Sequence, residues 1–374
     1  MKGRQVFLRD ERMMSNTIGR MRFILLFGVL LIHSRLAIDC NVDWSTFNAN
    51  ELHKLCMYIG SLVIPSFCVP AFFLISGYLF FYKLEFFNFS LYKNKLRWRI
   101  SSLFVPYLIF CVLAAIAYIG INVIVGGGNI GNLVKEYTKL SIFWNFFSSD
   151  GITTIWGVTL KECYPTDAPL WYVRDLMVYC ILSPIIYMAA KHAKYIFIAV
   201  LLLVYLTVLW PSCTLIYYGF VYFSFGALLS INKLTLFIGK RSLRLVVYVI
   251  SILVLLIRAS QVCESQYGIE LIKNVYILFA TISIFNLFGY HSNWKFPSWL
   301  TKPTFFVFAT HQILIVGIVH NIILPKVFMD SSNPLCHIAE YILAPLVTLF
   351  ICTMTYYILK CLLPKVASVL NGKR

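Results

Sequence analysis

The chain has 374 residues, 60% of them hydrophobic and only 13% charged, with a net charge of +17 and a mean hydropathy of +0.79. A soluble domain carries about 25% charged residues, so this composition excludes an ordinary soluble fold. Nor does the positive charge point to nucleic acid, because it gathers beside apolar segments, where anionic lipid headgroups attract it.

The first apolar segment, 22–38, is followed by Arg35 and Asp39 rather than a small-residue cleavage site, so it is expected to be a retained anchor and not a signal peptide. A basic cytoplasmic tail, 1–20, precedes it. Further along, no Asp, Glu, Lys or Arg occurs in 55–82, 100–134, 176–190, 195–232, 245–257, 274–294, 303–325 or 341–359. A spanning helix needs about 20 apolar residues. The 195–232 interval is long enough for two, divided near Pro211, and 245–257 suffices if Arg244 and Arg258 snorkel to opposite interfaces. The expected fold is an all-α polytopic integral membrane protein of about ten transmembrane helices with both termini cytoplasmic. That threading puts 23 of the 32 basic residues inside, as the positive-inside rule requires. One membrane domain, 21–364, is expected, ending in a short cytoplasmic tail, 365–374.

The longest connection, about 126–169, starts at Gly126-Gly127-Gly128 and holds Leu140–Phe147, an apolar stretch too short to span. It is a candidate lid or a packing loop. The 11 cysteines include no CxxC pair, so no metal site is expected. Cys40, Cys163, Cys213, Cys263 and Cys336 fall near outer connections, where a disulfide is feasible but its pairing open.

Five segments carry chemistry. Arg22 and His33 lie eleven positions apart, three turns and about 20°, so they share one helical stripe about 16 Å long. A cation and an imidazole inside a membrane helix are costly and functional by default, and imidazole is the usual base for activating a hydroxyl. Val69–Tyr78 follows, where Ser76 and Gly77 allow close approach of a helix or ligand and Pro70 frees a carbonyl. Lys95-Leu96-Arg97-Trp98-Arg99, ahead of Pro106-Tyr107, suits a polyphosphate or a plain positive-inside cluster. Pro169–Leu176 sets Arg174 and Asp175 beside Trp171 and Tyr172, either as an interfacial ion pair or as a carbohydrate platform. His311 is a second intramembrane histidine.

In this order the segments resemble the membrane acyltransferase 3 family. Arg22 and His33 match its R-x10-H in spacing and identity, Phe72–Tyr78 its FF-x-x-SG-[FY], and Trp171–Leu176 its W-[FY]-x-R-D-L. Arg97 and Arg99 with Pro106-Tyr107 look like its basic run, and Thr304–Ile315 like its late histidine span. The likeness extends over about 18–363. It departs where many members carry R-x-x-R, since Ser102 stands where a further arginine would fall.

The resemblance implies O-acyl transfer, usually of acetyl, from acetyl-CoA or another acyl-CoA acting as co-substrate, with no permanently bound cofactor. The acceptor would be a sugar hydroxyl of a surface polysaccharide or lipid-linked glycan, and the setting the plasma (inner) membrane of a bacterium. Arg22, Arg97 and Arg99 would hold the donor phosphates, and His33 would act as general base. Trp171, Arg174 and Asp175 would meet the acceptor, with Ser76, Gly77 and His311 in support. Two other readings stand beside it. A carrier for a lipid-linked sugar or small anion would use the same intramembrane groups, but no inverted repeat accompanies them. A non-catalytic subunit of a glycan-assembly complex leaves the R-x10-H spacing unexplained.

Overall fold

The computed structural model describes residues 2–35, 40–84, 87–126, 129–137, 152–155, 158–161, 165–207, 218–291, 296–328 and 333–373. The Leu140–Phe147 stretch, Cys163 and Cys213 lie outside them. The protein is a helical bundle. Helix α1 (Lys2–His33) is followed by α2 (Ala49–Met57), α3 (Cys68–Phe81), α4 (Phe89–Arg99), α5 (Val105–Gly126) and α6 (Ile130–Tyr137). A short antiparallel hairpin pairs Ile152–Ile155 with Val158–Lys161. Then come α7 (Trp171–His192), α8 (Lys194–Leu206), α9 (Tyr218–Ile231), α10 (Arg241–Ala259) and α11 (Gln266–Tyr290). The last are α12 (Thr304–Thr310), α13 (Pro334–Leu362) and α14 (Pro364–Leu370).

Among the described residues seven helical segments are long and apolar enough to cross a membrane: 12–33, 49–81, 89–124, 168–192, 241–259, 266–290 and 334–362. Two shorter apolar helices, α8 and α9, accompany them. This is a polytopic membrane protein. Helix starts follow local chemistry: Asn48, Asn88, Ser265 and Asn333 each accept a hydrogen bond from a backbone N–H of the first turn they precede, filling donors that a helix leaves open.

Residues 2–20, expected as a tail, instead continue the helix of the first span, with Met14, Thr17 and Ile18 buried. The far end of the chain docks too. Asn371 is buried; its Oδ1 accepts from the Phe306 N–H at 3.1 Å and its Nδ2 donates to the Lys302 carbonyl at 2.9 Å. The asparagine thereby caps α12 from across the bundle, a long-range contact that composition does not reveal.

Between α2 and α3 the helix loosens into a π turn, Tyr58–Val63, and tightens through Ile64–Phe67, where Pro65 interrupts the ladder. Open carbonyls lie here. Arg258 donates to the Leu62 carbonyl at 2.7 Å and to Ser66 Oγ at 2.8 Å, and the Tyr276 hydroxyl donates to the Ile64 carbonyl at 3.1 Å. Arg258 thus turns inward instead of snorkelling, because a broken helix in an apolar medium needs donors more than the interface needs a cation.

Helices α3 and α9 meet backbone to backbone. A Cβ added at Gly77 would overlap the Phe223 carbonyl, and one added at Gly226 would overlap the Leu74 carbonyl. This reciprocal contact is the small-residue packing that replaces hydrophobic drive inside lipid. Gly226→Leu should force the pair apart at a cost of about 1–3 kcal/mol or more, read as a lower thermal midpoint of the detergent-purified protein. An unchanged midpoint would show that the close approach is not needed.

Candidate active site

Helix α1 carries Arg22 and His33 on its stripe, and α12 ends at His311, where the chain passes into a π turn, His311–Ile315. These elements bring the two histidines together: their ring centroids lie 5.0 Å apart with planes inclined at 54°. His33 is half-buried and His311 fully buried. His311 Nδ1 lies 2.7 Å from the Phe308 carbonyl. A carbonyl only accepts, so Nδ1 carries the proton and Nε2 keeps its lone pair. No hydrogen-bond partner meets that Nε2 among the described residues. The pair therefore presents an open basic nitrogen in an otherwise apolar interior.

Beneath the pair lies a cavity of about 200 Å³. Arg22 from α1, Ser76 and Leu79 from α3, Arg99 from α4, Tyr172 and Leu176 from α7, and Thr304, Phe305 and Phe308 from α12 all line it. Phe308 forms its roof towards the histidines, with its ring 6.1 Å from that of His311 and 5.7 Å from that of Tyr172. The Tyr172 hydroxyl is 2.8 Å from Ser76 Oγ and also donates to the Phe72 carbonyl at 3.3 Å. Two guanidinium groups thus share one cavity with a hydroxyl pair, while His311 stands one helical turn beyond Phe308 and His33 three turns beyond Arg22.

The sequence candidates divide accordingly. Arg22, Ser76 and Arg99 converge on the cavity, and His33 and His311 meet each other. Arg97 is exposed and does not line it, because two residues along a helix turn it by about 200°. Gly77 faces α9, one position round from Ser76. Trp171 is half-buried with its ring 6.1 Å from that of Phe73. Arg174 and Asp175 are both sealed at 0% exposure and joined through Nε and Oδ1 at 2.9 Å. They sit inside the bundle rather than at an open mouth, because Pro169 and Leu170 draw the start of α7 inward. Asp167 is also buried, and neither of its carboxylate oxygens has a hydrogen-bond partner among the described residues.

The sequence does not single out Thr304 and Phe308 as site residues, and it places Tyr172 in a carbohydrate platform rather than in this cavity. Tyr172 stood in the motif beside Trp171, but the helical rotation that aims it at Ser76 depends on where α7 begins. Among the described residues no three His, Cys, Asp or Glu side chains converge on a metal position.

The acyltransferase 3 family model, described as an acyltransferase domain, matches residues 17–365. The chain belongs to the acyltransferase 3 family. Its class of chemistry is therefore acyl transfer, carried by a membrane-embedded bundle in which the R-x10-H stripe of this acyltransferase runs from the cavity to the histidine pair. No curated protein and no solved structure matches the chain.

Proposed function

We propose that this acyltransferase moves an acyl group, most simply acetyl, from acyl-CoA to a sugar hydroxyl presented at the His33 end of α1. The observation that carries the reading is the unpartnered Nε2 of His311 beside His33, on the same helical stripe as Arg22, which lines a cavity with Arg99. Guanidinium groups suit the phosphates and carbonyls of a nucleotide thioester, and the arm of such a donor is narrow enough to run up an apolar stripe.

In the proposed step the acceptor hydroxyl attacks the thioester carbonyl. The new C–O bond forms as the C–S bond breaks. His33 takes the hydroxyl proton and returns it to the leaving thiolate, so the transfer is proton-neutral. His311, locked as the Nδ1–H tautomer by Phe308, offers its unpartnered Nε2 as the acceptor that positions His33 once substrate is bound. Trp171, Arg174 and Asp175 serve from behind the wall, with Trp171 packed on Phe73, whose ring in turn lies 4.5 Å from that of Tyr172. In this reading the basic cavity faces the cytoplasm, where acyl-CoA is made, and the protein sits in the plasma membrane of a bacterium.

Purified protein with radiolabelled acetyl-CoA tests the assignment. Thioester cleavage that increases when sugar is added is the expected result. Glycan movement across a vesicle membrane without any need for acyl-CoA would overturn it in favour of a carrier.

A further inference from the structure

At the end of the bundle to which His33 points, three more histidines gather around one carboxylate. His53 on α2 and His337 on α13 stack with ring centroids 5.5 Å apart and planes at 24°. His337 Nδ1 lies 3.3 Å from Glu340 Oε2. His320, within electrostatic reach of that carboxylate, hydrogen-bonds the backbone of Ser34, the residue next to His33. Nε2 of His320 and Nε2 of His53 are buried and have no hydrogen-bond partner among the described residues, and His53 as a whole is only 6% exposed.

The line continues outward. Glu51, less than one turn before His53, accepts from the Asp43 N–H at 2.7 Å. Asp43 in turn accepts from Ser45 Oγ at 2.6 Å, Thr46 Oγ1 at 2.7 Å and the Ser45 N–H at 2.9 Å. These bonds, the Ser45 hydroxyl foremost, pull the Asp43 carboxyl down to about 2. A lowered carboxyl pKa stabilises the turn above that range and releases it only as pH falls through about 2, so the turn is set at any physiological pH. It holds up Trp44 and Phe47, which are 51% and 48% exposed and stacked at 5.7 Å with only 8° between their planes.

We propose that Trp44, His53, His320, His337 and Glu340 form the subsite that receives the sugar acceptor and leads one of its hydroxyls to His33. The inference rests on the acyl-transfer reading above and names its acceptor site, which the buried Arg174 and Asp175 cannot provide. The chemistry selects the ligand class. His320 bonds the Ser34 backbone while its Nε2 stays unpartnered, so that Nε2 accepts, and Nε2 of His53 is also unpartnered. Together with the carboxylate they form a row of acceptors, which a ligand rich in hydroxyl donors satisfies. Asp43, Glu51 and Glu340 disfavour a phosphate, and Lys54 is already paired with Glu51 at 2.8 Å. The flat Trp44 face offers the apolar surface that the C–H face of a pyranose ring covers. A proton wire to solvent has no task here, because the transfer returns its own proton. Nor does the cluster form a metal position among the described residues.

The test uses the full chain in nanodiscs, saturating acetyl-CoA and a panel of methyl glycosides of glucose, galactose, mannose and N-acetylglucosamine. Trp44→Ala and His53→Ala should each raise the glycoside KM about fivefold or more, the loss of one ordinary contact. The KM for acetyl-CoA should stay within about twofold, and His53→Gln should recover part of the loss through its own hydrogen-bonding amide. Wild-type transfer with both alanine variants at unchanged glycoside KM would overturn the subsite and leave the acyl-transfer reading standing. Acetyl-CoA turnover with no glycoside acylated by the wild type would overturn that reading, and the subsite with it. Weaker liposome retention of Trp44→Ala at unchanged KM would make the aromatic pair an interfacial anchor and also overturn the proposal.

Discussion

His33→Ala should lower acyl transfer by about 10²–10⁴-fold, the usual worth of a positioned general base, with the amount of protein in the membrane unchanged. The stability half of this expectation follows from the packing. His33 ends α1 half-buried, its ring 5.0 Å from that of His311. Truncation there opens little apolar surface. The catalytic half follows from the tautomer. His311 cannot substitute, because its Nδ1 is committed to the Phe308 carbonyl and the ring is wholly enclosed. His311→Ala should therefore also impair transfer, by a smaller factor, and His311→Gln should restore some of it if orientation is its role. Radiolabelled acetyl transfer by purified variants decides the matter, and a His33→Ala protein within about tenfold of wild type would remove the base from the mechanism.

Much of this site was legible because membrane helices make spacing informative. An eleven-residue interval must return to the same face of a helix, so Arg22 and His33 declared a stripe before any neighbour was known. Charge-free intervals likewise announced most of the long helices. What stayed hidden depended on contacts between distant segments. Arg97 and Arg99 are equivalent in composition, and only the rotation of α4 decides that Arg99 enters the cavity. Arg174 and Asp175 read from the sequence as an interfacial ion pair or an outer platform, and the structure keeps the pair but buries it. Their burial follows from Pro169 and Leu170 packing inside, an event of tertiary structure. His311 could be marked as expensive from sequence, but its open Nε2 is a product of the π turn and the Phe308 carbonyl. The two glycines, Gly77 and Gly226, show the same divide: each is visible alone, while their mutual contact is not.

Arg22→Ala should raise the KM for acyl-CoA by about 10–100-fold, the worth of a charge-assisted hydrogen bond of roughly 1.5–3 kcal/mol. The argument starts from what the other arginines do. Arg20 donates to the Phe288 carbonyl at 2.8 Å, Arg244 to the Ile238 carbonyl at 2.8 Å, and Arg258 to the broken helix at Leu62. Arg174 is neutralised by Asp175. Arg22 forms no ion pair among the described residues, yet it lines a cavity within the bundle. Holding a cation there without a counter-charge destabilises the empty protein, and an anionic ligand recovers that cost on binding. The variant should consequently be as stable as wild type or more so while binding donor poorly, a combination that a structural arginine would not give. Arg99, whose guanidinium lies 5.8 Å from the centre of the Phe80 ring, has part of its stabilisation from that face, so Arg99→Ala should shift KM less. Arg97→Ala, on the exposed side of α4, should shift it least. Equal effects at Arg97 and Arg22 would mean that the donor is held by diffuse positive charge and not by this cavity. The graded order Arg22, Arg99, Arg97, measured as KM for acyl-CoA at constant ionic strength, is what a donor lodged beneath Phe308 requires.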